Sequence, residues 1–146
     1  MRPAVALLML SLAPLTLAGE AAGTIKISRG DAHIVRGGQQ LPATPGQHVE
    51  VSDSILTGSD GTVGITLNDD TRLTAGPDST LELRRFVFDS TTHQGSLDAS
   101  VQRGSLSVIS GKIAKASPEA VSFSSPSVTL GVRGTRFIIK AGQEEN

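Results

Sequence analysis

Thr62-Val63-Gly64-Ile65-Thr66-Leu67-Asn68-Asp69-Asp70-Thr71-Arg72-Leu73-Thr74 decides the fold. Val63, Ile65 and Leu67 alternate with Gly64 and Thr66, the period of a strand that buries one face. Asn68-Asp69-Asp70 follows as a cluster of side chains that bond their own backbone and turn the chain. Arg72-Leu73-Thr74 then resumes the strand pattern. The same period runs outward in both directions, through Ile25 and Ile27, Ala32 and Ile34, Val49 and Val51, Leu81 and Leu83, Leu106 and Val108, Val121 and Phe123, Val128, Leu130 and Val132, and Phe137 and Ile139. Polar residues or glycine fill the alternate places, with Ile138 the exception. No window carries a helical stripe, and only Ile109 to Ala120 leaves room for one helical turn.

Turn signals punctuate the chain about every 8 to 12 residues, the spacing of short strands in sandwiches, barrels and solenoids. Arg36-Gly37-Gly38-Gln39 suits a hairpin with a primed turn. Ser59-Asp60-Gly61 separates Ile55-Leu56-Thr57 from the quoted strand, and Ala75-Gly76-Pro77-Asp78-Ser79 turns the chain into Thr80 to Phe88, the longest strand signal. Ser90 to Ser96 is a polar loop tip. Leu97 to Val101, Ser105 to Ile109, Val121 to Phe123, Val128 to Val132 and Arg136 to Lys140 complete the set. The expected class is all-β, either a short-stranded β-solenoid-like domain or a β-sandwich, because parallel pairs joined by helices need longer periodic segments.

The 146 residues suffice for one domain, and they include no Cys, Trp or Tyr and only 4 Phe. Without cysteine there is no disulfide framework, thiolate zinc site, thiol nucleophile or N-terminal lipid anchor on Cys. The sparse aromatic surface argues against stacking single-stranded nucleic acid or neutral sugars, and a net charge of −1 supplies no general attraction to nucleic acid or anionic membrane. No nucleic-acid partner is expected.

Residues 1–18 have the form of a removable signal peptide. Arg2 precedes an uncharged, Leu- and Ala-rich stretch from Pro3 to Gly19, too short and too interrupted at Pro14 for a comfortable membrane span. Small residues at Thr16 and Ala18 suit cleavage after Ala18, with a cut after Ala21 as the alternative. The mature protein is therefore expected to be periplasmic or secreted, with no membrane span. Residues 143–146 form a charged tail, expected to be flexible.

The search for reactive constellations is mostly negative. Ser110-Gly111-Lys112 resembles the end of a phosphate-binding loop, but Leu106 stands where that loop needs glycine and Ile113 where it needs Ser or Thr. His33, His48 and His93 lack metal-ligand spacing. Asp60, Asp69, Asp70 and Asp78 lack the register of a calcium loop and suit turns instead. No catalytic, cofactor-binding or metal-binding residue is assigned. From Leu97 to Lys140 the chain turns basic, with Arg103, Lys112, Lys115, Arg133, Arg136 and Lys140 against Asp98 and Glu119. Such a face suits an acidic protein surface or an envelope polysaccharide. Arg133, flanked by Val132 and Gly134, suits a structural fork on neighbouring carbonyls or a carboxylate.

Two stretches together resemble the FecR domain family: Gly104-Ser105-Leu106-Ser107-Val108-Ile109-Ser110-Gly111-Lys112, and Ser125-Pro126-Ser127-Val128-Thr129-Leu130-Gly131-Val132-Arg133-Gly134-Thr135-Arg136-Phe137. Gly46, Asp53, Ile55 to Gly58, Asp69 to Leu73 and Pro77 to Leu81 look like the family's earlier half, so the similarity spans residues 23–142. The motif residues Gly104, Ser110, Gly111, Lys112, Pro126, Gly131, Val132, Arg133, Gly134, Thr135 and Phe137 read physically as architecture. The glycines allow sharp turns, Thr135 can cap one through its hydroxyl, and Phe137 drives a strand into the core.

The resemblance implies a periplasmic all-β domain. In the family's iron-signalling regulators such a domain belongs to a transmembrane anti-sigma protein that meets an outer-membrane receptor. The sequence as it stands carries no anti-sigma segment or retained membrane helix, so a stand-alone exported FecR-domain protein is expected. Its function is expected to be non-enzymatic docking of an envelope protein or polysaccharide, in the setting of envelope signalling. A hydrolase assembled from scattered Ser, His and Asp, and a self-associating envelope protein pairing through exposed strand edges, are the alternatives.

Overall fold

The computed structural model describes residues 20–126, 129–131 and 134–142. Among the described residues twelve strands follow in order: β1 Ala21–Arg29, β2 Ala32–Arg36, β3 Gln39–Pro42, β4 His48–Glu50, β5 Ser54–Thr57, β6 Thr62–Leu67, β7 Arg72–Ala75, β8 Thr80–Phe88, β9 Gly95–Ile109, β10 Val121–Ser124, β11 Thr129–Gly131 and β12 Arg136–Ala141. A single helical turn, α1 Lys112–Ala116, and a 3-10 turn at Pro118–Ala120 occupy the stretch where the strand period lapses. Among the described residues no helix is long and apolar enough to cross a membrane.

The strands form one curled, half-barrel sheet built as two arms that share β9. The first arm runs β4-β1-β6-β7-β9-β12 and the second β3-β2-β5-β8-β9-β10-β11. Only β9 against β10 is parallel; every other pairing in the described residues is antiparallel. The connection that carries α1 and the 3-10 turn makes the one parallel crossover, and elsewhere short strands joined by tight turns leave no length for another. The all-β expectation holds.

The strand β9 makes the curl. Its first part, Gly95 to Arg103, pairs with β8 and, over Leu97 to Ser100, with β10; its second part, Gly104 to Ile109, pairs with β7 and β12. Gly104 sits at the change of partners with φ +86, and a Cβ there would run into Ser79 and the Asp78 carbonyl. Only glycine meets both demands without strain. The sequence pattern divides this strand at Gln102-Arg103-Gly104 and points to Thr80–Phe88 as the longest. The structure instead joins both halves into a 15-residue strand, against nine residues for β8.

The core lies between the arms. Ile25, Ile65, Leu67, Leu73, Leu106 and Val108 come from the first and Ile34, Ile55, Leu81, Leu83, Leu97 and Phe123 from the second, all in one buried cluster. Ile113, carried in on α1, joins it fully buried, worth about 1.5 to 3 kcal/mol of apolar transfer. Three residues leave the expected alternation, and one of them, Leu130 on β11, is 39% exposed. Ile27 is 50% exposed because β1 shifts register against β6 between Ile25 and Ile27, which turns the following side chain outward. Val51 is exposed because β4 ends at Glu50 and the chain turns through Ser52, at φ +77.

Candidate docking face

Strand order gathers side chains that are far apart in the sequence. On the outer surface of the first arm, cross-strand rows run Thr24-Thr66-Arg72-Ile109-Arg136, then Ile27-Gly64-Thr74-Ser107-Ile138, then Arg29-Thr62, with Ser105 and Lys140 paired farther across. The inner neighbours Val63, Ile65, Leu73, Leu106, Val108 and Ile139 are buried, which fixes the outward direction of these rows. Lys26, Arg29, Arg72, Arg136 and Lys140 are exposed, and β1, β6, β7, β12 and the second part of β9 contain no acidic residue. This face is therefore cationic although the chain as a whole carries −1. Gly64 has no side chain, so a trough of about 400 Å³ opens among Lys26, Ile27, Thr66, Arg72 and Thr74.

Only part of this face is visible in the basic C-terminal stretch. Arg136 and Lys140 lie on it, on β12, and Arg103 is exposed. Lys112 begins α1 and its Nζ reaches Asp70 Oδ2 at 3.2 Å, so its charge is engaged. Lys115 is exposed in the last turn of α1. Arg133 and Val132 lie outside the described residues, as do residues 1–19 and the tail 143–146. Lys26, Arg29 and Arg72 come from the N-terminal half, and their signal was the absence of acids on three separate strands.

The motif residues Ser110, Gly111, Lys112, Gly134 and Thr135 converge on a latch beside the face. Asp69, fully buried, accepts from Thr71 N at 3.1 Å, Thr71 Oγ1 at 2.8 Å and Ile113 N at 3.2 Å, while its carbonyl accepts from Lys112 N at 2.7 Å. The β6–β7 turn thus supplies from a distance the N-terminal cap that Gly111 cannot give to α1. Gly111 packs so closely on the Asp69 carbonyl and Thr71 that a Cβ would have no room. Ser110 donates from N to the Thr135 carbonyl at 2.7 Å and from Oγ to the Gly134 carbonyl at 3.1 Å. These bonds hold the segment leading into β12. Gly134 turns at φ +86, and Phe137 meets Phe123 edge to face at 5.5 Å. Pro126 is exposed just after β10, and Gly131 ends β11 opposite Ser122.

A second polar centre is structural. Asp53, fully buried, takes Arg36 in a fork, Nε and Nη2 each at 2.8 Å, and accepts from Glu50 N at 2.8 Å; Glu50 Oε2 lies 2.6 Å from Arg36 Nε. The hydrogen bond to Asp53 holds the Arg36 guanidinium above its usual pKa, against the opposing effect of partial burial, with the charges of Asp53 and Glu50 adding to the rise. A cleft of about 500 Å³ lies beside it, walled in part by Val51, Phe86, Val87 and Phe88.

The histidines are dispersed. His33 is half-buried on β2, His48 is exposed on β4, and His93 stacks on Phe88 in the loop before β9. Among the described residues no group of three His, Cys, Asp or Glu is placed to hold a metal ion, and none of the three histidines hydrogen-bonds through its side chain to a serine or a carboxylate.

The family model described as FecR protein matches residues 53–146. No curated protein and no solved structure matches the chain. Residues 21–50, ahead of the matched span, supply β1 to β4 of the same sheet. The chain belongs to the FecR family, whose domain relates it to envelope signalling.

Proposed function

We propose that this protein is a non-enzymatic docking module of the cell envelope, exported by its N-terminal signal, which receives a negatively charged partner on the outer face of the first arm. The carrying observation is the charge segregation: Lys26, Arg29, Arg72, Arg136 and Lys140 on strands that contain no acid. Scattered charge of both signs is the ordinary surface of a small domain, and a single-signed sheet face steers and selects an oppositely charged partner. The dispersed histidines and the engagement of the buried carboxylates Asp53 and Asp69 in structural bonds support a binding role over hydrolysis. The shortage of aromatic rings favours recognition by charge over stacking on neutral sugar.

The test is site-specific photo-crosslinking in intact envelopes. A crosslinker at Thr74 or Ser107, between the basic rows, is expected to trap a discrete partner. One at Ser122, on the second arm, is expected to trap none. Equal trapping from both faces, or none from Thr74 and Ser107, overturns the proposal.

A further inference from the structure

We infer that the acidic partner is received as an added β-strand along β12, with acid, apolar and acid residues at alternate positions. This rests on the docking reading above and deepens it. Among the described residues β12 pairs on one side only, with β9, so its other edge presents unpaired backbone groups. Its side chains divide cleanly. Ile139 and Ala141 are buried and Phe137 half-buried, while Arg136, Ile138 and Lys140 project outward, Ile138 being 67% exposed. The outward set reads basic, apolar, basic. A strand laid alongside meets these three directly, and cross-strand pairing favours opposite charges beside Arg136 and Lys140 and an apolar residue beside Ile138. The six residues of β12 span roughly 20 Å, enough for a five- to six-residue segment. The complement has the same order in both chain directions, so it fits parallel or antiparallel.

The edge also disfavours its own copy. In the antiparallel register that sets Ile138 against itself, Arg136 of one molecule lies opposite Lys140 of the second, twice over. Like charges directly opposed are destabilising, so the exposed edge is closed to self-pairing and open to an acidic strand.

This gives a gain-of-function test. Arg136→Glu makes the edge self-complementary, with an acid opposite Lys140 in both halves of the pair. Sedimentation analysis is expected to show a monomer for the unaltered protein, a dimer for Arg136→Glu and a monomer again for the double variant Arg136→Glu/Lys140→Glu. In parallel, a Thr-Glu-Thr-Val-Thr-Glu-Thr peptide is titrated against the unaltered protein and followed by amide shifts of β12. It is expected to bind about five- to tenfold more tightly than a peptide of the same composition with adjacent glutamates. Equal binding of the two peptides with no dimer from Arg136→Glu overturns the strand model while leaving a charge-based docking face in place. Failure of both peptides and of polyglutamate to bind overturns the strand model and the docking reading together. Tighter binding of an anionic polysaccharide, without perturbation of the β12 amides, also overturns it.

Discussion

The carboxylate of Asp69 accepts the backbone N–H of Ile113 at 3.2 Å across 44 residues of chain, tying the β6–β7 turn to the helical turn that plugs the core. Because the Asp69 carbonyl also takes Lys112 N, one residue satisfies two of the orphan donors of α1. Asp69→Ala leaves Thr71 and Ile113 donors buried without partners, and a loss of about 3 kcal/mol is expected in urea unfolding. Asp69→Asn is expected to lose less, since one oxygen still accepts.

Gly111 and Gly37 separate two reasons for glycine. Gly37 has φ +55 with open space around it, so Gly37→Ala is expected to cost about 1 kcal/mol, from backbone strain alone. Gly111→Ala meets the Asp69 carbonyl and Thr71 backbone, neither of which can yield without breaking the latch. A loss above about 2 kcal/mol is expected there. Equal losses at the two positions would show that the latch is not close-packed.

Arg36 on β2 and the buried Asp53 form a two-pronged polar pair. Arg36→Met keeps much of the apolar stem but strands a buried carboxylate, and about 2 to 3 kcal/mol is expected to be lost. Arg36→Met/Asp53→Asn is expected to lose less than the two single variants added together, the excess measuring the pair. The pH sign follows from the raised Arg36 pKa. Its contribution is complete below the ordinary arginine value and fades only as pH rises through the higher folded value. Between pH 5 and pH 9 the guanidinium side of the pair is therefore constant.

Export is expected to leave Gly19 as the first residue, by cleavage after Ala18. The β1 strand begins at Ala21, whose carbonyl accepts from Asn68 Nδ2 at 2.7 Å. A cut after Ala21 removes that acceptor and the pairing of Ala21 with Glu50. Mass spectrometry of the exported protein checks the site, and a chain starting at Ala22 would contradict it.

The inward face of most strands was legible because burial imposes the period directly. Val63, Ile65 and Leu67, Leu81 and Leu83, Leu106 and Val108, and Phe123 all lie in the core as their spacing requires. Ile27 was misread because a register shift moves the phase by one residue without changing composition. The unity of β9 was hidden because Gln102-Arg103-Gly104 looks like a turn, yet the strand survives by exchanging partners there. The docking face was half legible. Arg136 and Lys140 stand in an obviously basic stretch, whereas Lys26, Arg29 and Arg72 join them only through the β1-β6-β7-β9-β12 order, which no local pattern encodes. Asp69 was correctly seen as a turn residue, but its bond to Ile113 depends on contact between segments distant in the chain.

The most direct test of the account is a salt titration of polyglutamate binding by the unaltered protein and by Arg72→Ser/Arg136→Ser/Lys140→Ser. All three positions are exposed, so the variant is expected to unfold within about 0.5 kcal/mol of the unaltered protein. The account predicts binding that is strong at low ionic strength, weakens as salt screens the face, and is lost in the variant at every salt concentration. Undiminished binding by the folded variant, or no binding by the unaltered protein at low salt, would contradict it.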